Sequence, residues 1–236
     1  MGVHRPCRFG LALIGALLAA LPARVEDPYQ RQREAMVRDQ IEARGIKNPD
    51  VLRVMRMTLR HEFVPEEIRP SAYEDRPQPI GYGQTISQPY IVAFMTEVLD
   101  VNKSHKVLEI GSGSGYQAAV LAPLARHVYT IEIVPELAAW AKEKLAKYKN
   151  VTVRLGDGYQ GWPEEAPFDR IMLTAAPPEI PQTLLDQLKP GGKLLAPVGR
   201  SPWSQELVLA EKTKDGKIRR RSVLPVMFVP MVPGKE

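Results

Sequence analysis

Two acidic residues lie beside a glycine-rich segment near the middle of the chain. Glu109 stands in the apolar run 107–110, which is followed by glycines at 111, 113 and 115, and Glu132 closes the next apolar run, 127–132. Glycines carry no side chain, so a ligand can touch the backbone there. A carboxylate at the end of the neighbouring strand can accept hydrogen bonds from a ribose diol. The spacing predicts the first βα turn of a nucleotide-binding sheet, with Gly111, Gly113 and Glu132 facing the ligand.

The glycine spacing also bears on which nucleotide binds. In a dinucleotide turn a third glycine follows the second by three residues and faces a pyrophosphate, whereas Tyr116 occupies that place here. Glu109 would repel a pyrophosphate but suits a ligand with an ammonium group. S-adenosylmethionine has a ribose, an adenine, an amino-acid head and no phosphate, so the turn favours this cofactor over NAD. A structural turn without a ligand is the remaining alternative.

A third acidic residue, Asp157, follows the apolar run 151–155 and lies between Gly156 and Gly158. From a strand end its carboxylate could accept the exocyclic amine of adenine, and the glycines would let the chain bend around the ring. The alternative is an ordinary Asp-Gly turn. Because it is the third strand-end acid in succession, we favour the role in ligand binding.

The segment 174–178 limits the choice of methyl acceptor. Its sequence, Thr-Ala-Ala-Pro-Pro, offers no side-chain amide or acid to accept the hydrogens of an amine, which argues against a base or amide nitrogen. A carboxylate acceptor is already ionised at neutral pH and needs only to be positioned and desolvated. No histidine stands at a strand end to act as a general base. We expect no metal site.

The loop 81–89 is the best candidate for holding such an acceptor. Its glycines let backbone amides approach a ligand, Thr85 and Ser87 supply hydroxyls, and Pro89 fixes the start of the next helix. The alternative is that Thr85 and Ser87 cap the helix predicted from Tyr90.

Strands alternating with helices over 107–196 predict an α/β fold with a mostly parallel sheet and helices on both faces. Helical patterns over 27–59 and 90–99 form an N-terminal extension, and 206–211 with 217–224 form a C-terminal antiparallel hairpin. In such sheets ligands bind at the carboxyl ends of the strands. We predict one domain, 24–236, in which 24–100 hold the extension and substrate loop and 101–236 form the cofactor-binding core.

The first 23 residues have the pattern of a secretory signal peptide. Arg5 and Arg8 precede an apolar run, 9–21, that is short for a membrane span. A misassigned start codon or a disordered leader is the alternative. Because S-adenosylmethionine is made inside cells, we favour a cytoplasmic protein. A periplasmic or secreted location follows if the leader is functional.

Charge and patterning restrict the partners. The net charge is +5, and its densest basic run, 219–221, is interpreted as a solvated strand face and not as a nucleic-acid site. Neither a long heptad repeat nor a bare apolar strand edge is evident, so we expect a monomer without a stable membrane anchor beyond the leader.

Several segments together resemble the protein-L-isoaspartate (D-aspartate) O-methyltransferase family. The specific part is EDRP at 74–77 with IGYGQTISQPY at 80–90. The glycine turn 107–115, GDG at 156–158 and QLKPGG at 187–192 also fit, but the glycine turn and the Lys-Pro-Gly-Gly turn occur across many methyltransferases. The resemblance extends from about residue 36 to residue 230.

The resemblance implies a Rossmann-like S-adenosylmethionine-dependent methyltransferase fold. It implies methyl transfer to the free carboxyl of L-isoaspartyl residues, or to D-aspartyl side chains, in damaged proteins. The methyl ester then collapses to a succinimide, and the succinimide reopens partly as normal aspartate. Ser87 matches the family's active-site serine and would orient the acceptor carboxylate without acting as a nucleophile. The cofactor positions fall on Gly111, Gly113, Ser114, Glu132, Asp157 and Gly158. The family is generally cytoplasmic, so the leader is a departure.

Three other functions remain as alternatives. A small-molecule methyltransferase would need a closed apolar pocket. A binding module would bind the cofactor without transferring its methyl group. An NAD enzyme is disfavoured by the glycine spacing and by Glu109.

Overall fold

The computed structural model describes residues 1–3 and 27–234. Residues 4–23 of the predicted leader, Cys7 among them, therefore lie outside the described residues. In the part of the chain that is described, none of the helices combines the length and the apolar character that crossing a membrane requires.

The N-terminal extension is helical, as the sequence predicts. Helix α1 (Gln30–Ala35) continues as a π-helix (Met36–Ile41) and a 3-10 turn (Glu42–Arg44). Gly45 ends this segment in the left-handed conformation, with φ of +95°. Helix α2 (Pro49–Met57) begins where the Asn48 carboxamide oxygen accepts hydrogen bonds from the N–H groups of Asp50 and Val51, at 2.9 and 3.3 Å.

The segments 62–79 and 81–89, both interpreted as loops from the sequence, contain more regular structure than predicted. Two 3-10 helices, Arg60–Phe63 and Glu66–Ser71, are followed by an antiparallel hairpin of β1 (Gln78–Gly81) and β2 (Gln84–Ile86). Its turn has positive φ at three successive residues, 81–83, including the non-glycine Tyr82. Helix α3 (Pro89–Leu99) follows directly.

The core is a seven-stranded sheet. Its parallel strands alternate with helices along the chain, as predicted. The parallel strands are β3 (Lys106–Ile110), β4 (His127–Glu132), β5 (Val151–Leu155), β6 (Phe168–Leu173) and β7 (Leu188–Val198), and β8 (Gln205–Lys212) and β9 (Ile218–Val226) complete the sheet in antiparallel pairing. The strand order is β5-β4-β3-β6-β7-β8-β9. The exposed arginines 219–221 lie on the edge strand β9, as expected for a solvated strand face.

Helices cover both faces of this sheet. Helices α4 (Tyr116–Leu121) and α5 (Pro135–Leu145) pack with α3 and the N-terminal extension against one face, and α6 (Gln182–Asp186) packs against the other. Short 3-10 turns at Gly158–Gln160, Pro163–Glu165 and Pro202–Ser204 complete the connections. The predicted turn at 189–192 lies within β7. There, residues 188–192 lie opposite only residues 168–169 of β6, so the longer segment forms a bulge. Gly191 within the bulge has φ of +81°.

Candidate active site

A cavity with about 880 Å³ of empty space opens at the carboxyl ends of β3, β4 and β6. Most of the predicted site residues line it: Thr85, Ser87, Glu109, Gly111, Gly113, Ser114, Glu132 and Gly158. No histidine lines this cavity, and within the described residues no group of three histidine, cysteine or acidic side chains is arranged to hold a metal ion.

The glycine turn is shaped by close backbone contacts. Gly111 has φ of +99°, and a Cβ atom there would lie 2.5 Å from the hydroxyl oxygen of Thr174. That hydroxyl lies 2.5 Å from the carbonyl oxygen of Gly111 and 3.0 Å from that of Ile110, so it ties β6 to the turn. A Cβ atom at Gly158 would clash with the side chain of Ile110. Side chains are excluded at these positions, which leaves the backbone open to the cavity.

Glu132 is buried at the end of β4 and is held by the backbone around it. One carboxylate oxygen accepts the N–H of Gly113 at 2.7 Å, and the other accepts the N–H groups of Ile133 and Val134 at 2.9 and 3.0 Å. A carboxylate has about four acceptor positions. The three hydrogen bonds from backbone N–H groups therefore fix the orientation of the carboxylate. They leave about one acceptor position free for a ligand.

Glu109 is completely buried on the same face of the sheet. Its Oε2 accepts a 2.5 Å hydrogen bond from the Thr130 hydroxyl, which also lies 2.6 Å from the hydroxyl oxygen of Ser112. Its Oε1 has no hydrogen-bond partner among residues 27–234. Burial raises the pKa of Glu109 to about 8; the Thr130 hydrogen bond opposes this rise and the nearby Glu132 carboxylate adds to it. Glu109 lines the cavity, so this side chain brings a buried, unpaired oxygen to its wall.

Ser114 presents a second unpaired polar atom beside the glycine turn. The residue is 2% exposed, and its Oγ has no partner in the described part of the chain. Buried polar atoms of this kind are costly unless a ligand or water satisfies them. Together with Glu109 it gives the cavity one acceptor and one hydroxyl that a polar ligand could use.

Asp157 lies near this site but its side chain does not line the cavity. Its Oδ1 accepts the N–H of Tyr159 at 2.8 Å and its Oδ2 accepts the N–H of Gly234 at 2.9 Å. Oδ1 thus caps the 3-10 turn that follows β5, and Oδ2 ties the end of β5 to the C-terminal segment. The neighbouring glycines, 156 and 158, reach the cavity instead.

Sequence reasoning missed the C-terminal segment 229–232, which lines the cavity. The N–H of Ala176 donates to the carbonyl oxygen of Val229 at 2.8 Å, and the N–H of Met231 donates to that of Ala176 at 2.9 Å. These bonds fix the segment beside the end of β6. The apolar run 226–232 was a signal of burial, but nothing local indicated what it would pack against.

Thr85 and Ser87 lie between the cavity and a second groove on the surface. The residue before α3 is Gln88, and no side chain caps this helix. The capping role considered for the two hydroxyls is therefore not the one they have. Ser87 is half-buried and Thr85 is exposed, so both can meet a molecule that enters from the groove.

The three histidines in the described part of the chain have contacts away from the cavity. His61 lies 2.7 Å from the hydroxyl of Tyr73, His105 bonds with Asn102, and His127 lies 2.9 Å from the hydroxyl of Thr152.

Comparison with known proteins agrees with this geometry. Residues 31–236 match the model of the protein-L-isoaspartate(D-aspartate) O-methyltransferase family. The protein-L-isoaspartate O-methyltransferase of Synechococcus sp. (strain JA-2-3B'a(2-13)) is 56% identical over 219 residues, which are 89% of each chain. An enzyme of the same name, numbered 2, from Syntrophobacter fumaroxidans is 53% identical over 220 residues, again 89% of each chain.

Two solved structures share the fold. One protein-L-isoaspartate O-methyltransferase superposes with a TM-score of 0.73 at 28% identity, over 84% of this chain and 65% of its own length. A Plasmodium falciparum protein assigned to the same enzyme group, in complex with S-adenosyl-L-homocysteine, has a TM-score of 0.73 at 26% identity and is covered over 99% of its length by 88% of this chain. The match in family model, sequence and fold shows that this chain belongs to the protein-L-isoaspartate(D-aspartate) O-methyltransferase family.

Proposed function

We propose that this protein transfers a methyl group from S-adenosylmethionine to the free carboxylate of L-isoaspartyl residues, and to D-aspartyl side chains, in damaged proteins. The observation that carries the proposal is that Ser87 lines two neighbouring spaces: the cavity of Glu109, Glu132 and the glycine turn, and a surface groove. A nucleoside can thus occupy one side of Ser87 and a polypeptide the other.

The residues of the cavity fit S-adenosylmethionine. The unpaired oxygen of Glu109 and the unpaired hydroxyl of Ser114 suit its charged amino-acid head, and the remaining acceptor position of Glu132 suits a ribose hydroxyl. Gly111, Gly113 and Gly158 leave the backbone open to it. A dinucleotide fits less well, because Glu109 lies where a pyrophosphate would pass.

Asp157 has a positioning role in this proposal. Since both of its oxygens bond to backbone N–H groups, it holds Gly156 and Gly158 against the cavity through Tyr159 and fixes the C-terminal wall through Gly234. The adenine would meet the glycines and the apolar wall.

The chemistry needs little from the protein beyond orientation. Bound S-adenosylmethionine supplies a methyl group made electrophilic by its sulfonium. Ser87 donates a hydrogen bond to the acceptor carboxylate and aligns it, while the apolar wall 229–232 excludes water. No proton is removed from an ionised carboxylate, which agrees with the lack of histidine along the cavity.

The test is the transfer of labelled methyl to a peptide that contains one isoaspartyl residue, with the same peptide carrying normal aspartate as the control. We expect base-labile label on the isoaspartyl peptide alone. Equal labelling of both peptides, base-stable label, or cofactor binding without transfer would contradict the proposal.

We also propose that residues 24–236 act as one domain and that the protein is a monomer that does not use nucleic acid as a partner. The continuous seven-stranded sheet supports a single domain, and the charged, exposed face of the edge strand β9 disfavours edge pairing. A single calorimetric unfolding transition and a monomer mass by light scattering are the expected results.

For the compartment we propose the cytoplasm, because its cofactor is made there. N-terminal sequencing of the native protein is the test. A mature chain that starts at Arg24 and is released by osmotic shock would instead place the protein in the periplasm.

A further inference from the structure

A second groove, with about 1180 Å³ of empty space, lies beside the cofactor cavity. It shares four residues with that cavity: Thr85, Ser87, Thr174 and Val229. We name it the apolar groove after the side chains that form most of its walls: Pro77, Ile91, Trp203, Val226, Met227 and Phe228.

Among the residues that the structure describes, none with a charged side chain lines the apolar groove. Two large apolar residues within it are open to solvent, since Trp203 is 86% exposed and Met227 is 57% exposed. Single exposed apolar residues are common on protein surfaces, but two that line one concave groove indicate a binding surface.

A buried side chain, that of Gln205, fixes one wall of the groove. The buried carboxamide of Gln205 accepts the N–H of Phe228 at 2.6 Å and donates to its carbonyl oxygen at 3.1 Å. This paired contact joins the start of β8 to the segment after β9, so Met227 and Phe228 do not depend on a ligand for their position. Trp203 stands on the 3-10 turn Pro202–Ser204 that leads into β8.

We propose that the apolar groove is the subsite for an uncharged apolar or aromatic side chain next to the isoaspartyl residue of the substrate. This inference rests on the proposed function, because Ser87 must hold the acceptor carboxylate. An extended chain advances about 3.3 Å per residue. A residue adjacent to the one held at Ser87 therefore falls within the groove that Ser87 borders.

The chemistry of the groove sets the selectivity. An aromatic side chain would remove the exposed faces of Trp203 and Met227 from water and make ring and sulfur contacts with them. A glutamate or lysine at the same position would lose solvation against neutral walls and find no charged partner in the groove. Damaged sites with apolar neighbours are thus repaired faster than sites with charged neighbours.

The experiment measures kcat/KM on two series of isoaspartyl peptides, one varied at the residue before the isoaspartate and one at the residue after it. Each series carries Phe, Leu, Gly, Glu or Lys at the varied position. In at least one series we expect Phe to exceed Glu and Lys by about tenfold, which corresponds to about 1.4 kcal/mol.

Two variants assign that preference to the groove. Trp203→Ser and Met227→Ser remove exposed side chains and so leave no cavity in the core; each should reduce the preference for Phe to about one third or less of its wild-type ratio. Met57→Ser is the matched control, because Met57 is 63% exposed on α2 and does not line the groove. It should keep the wild-type ratio.

The outcomes separate this inference from the function on which it rests. If isoaspartyl peptides are methylated but neither series shows a preference, or if the preference survives in both groove variants, the subsite is wrong and the proposed function stands. If no isoaspartyl peptide is methylated, both are overturned.

Discussion

The Thr130 hydroxyl donates a 2.5 Å hydrogen bond to Oε2 of Glu109, its direct partner across the parallel pair β3–β4. A hydroxyl has one proton, so the Ser112 hydroxyl, 2.6 Å away, must donate to Thr130 in turn. The other Glu109 oxygen is buried without a partner among the described residues, and Glu109 lines the cavity. One oxygen of the carboxyl group is thus fixed by the fold, and the other has no partner in the described part of the chain.

Cofactor binding should release a proton below about pH 8. Burial raises the pKa of Glu109 to about 8, so the free protein carries the neutral acid at neutral pH. A cationic ligand favours the ionised form and lowers that pKa. The affinity should therefore rise with pH and level off above about pH 8. Calorimetry in two buffers of different ionisation enthalpy measures the protons released.

The Thr130→Val variant checks the origin of this proton release. Without the hydroxyl the ionised Glu109 loses its donor, so the pH at which affinity levels off should move upward. Thr152→Val is the control, because the Thr152 hydroxyl bonds His127 and does not line the cavity. Binding with no proton exchange at pH 7 would contradict the assignment of Glu109.

Replacing Glu109 by glutamine should stabilise the free protein at high pH while it weakens cofactor binding. The folded pKa of about 8 exceeds the ordinary value of 4.5, so the native state holds an extra proton between these pH values and Glu109 destabilises it progressively as pH rises. The neutral amide has no such dependence. At pH 9 we expect a gain of about 1–3 kcal/mol in unfolding free energy, read from denaturant titration.

At pH 5 the same substitution should have a much smaller effect, because Glu109 is then neutral in the folded protein. A gain of equal size at both pH values would mean that the effect does not arise from ionisation.

The Ser87→Ala variant should lose turnover far more than cofactor affinity. A hydrogen bond to a charged group contributes about 1.5–3 kcal/mol, so we expect kcat/KM on an isoaspartyl peptide to fall about 10- to 100-fold. Calorimetry should show little change in S-adenosylmethionine binding. Ser104→Ala, at an exposed serine that bonds Asn102, is the control. Unchanged turnover in Ser87→Ala would remove this residue from the mechanism.

The Glu132→Ala variant should weaken cofactor binding by at least about tenfold. It removes an acceptor for the ribose and also releases the N–H groups of Gly113, Ile133 and Val134 that hold the turn. Glu143→Ala serves as the comparison, because that side chain is largely exposed on α5. An unaltered dissociation constant for Glu132→Ala would contradict its assignment.

The sequence predicted those parts of the site whose residues directly follow a recognisable apolar run. The glycines and acids at the ends of β3 and β4 follow apolar runs directly, so their position at one edge of the sheet followed from the parallel topology. The conformation of Tyr82, φ of +54°, has no such local signal, because non-glycine residues rarely adopt it. The hairpin that it closes was consequently interpreted as a loop.

Contacts between distant parts of the chain could not be predicted. The position of Asp157 at the end of a strand was predicted, but nothing near it in sequence indicated that its Oδ2 bonds Gly234, 77 residues further along. The neutral state of Glu109 likewise depends on burial by elements from the whole chain, which no spacing of residues reveals.

The wall formed by residues 229–232 has a consequence for how the protein matures. All seven strands precede this segment, so a ribosome has already delivered the complete sheet before the last side of the cavity emerges. A polypeptide interrupted ahead of Val229 would contain every strand of the sheet but would lack residues 229–232 of the cavity wall. We therefore expect methyl transfer for repair only from chains whose synthesis has included residues 229–232.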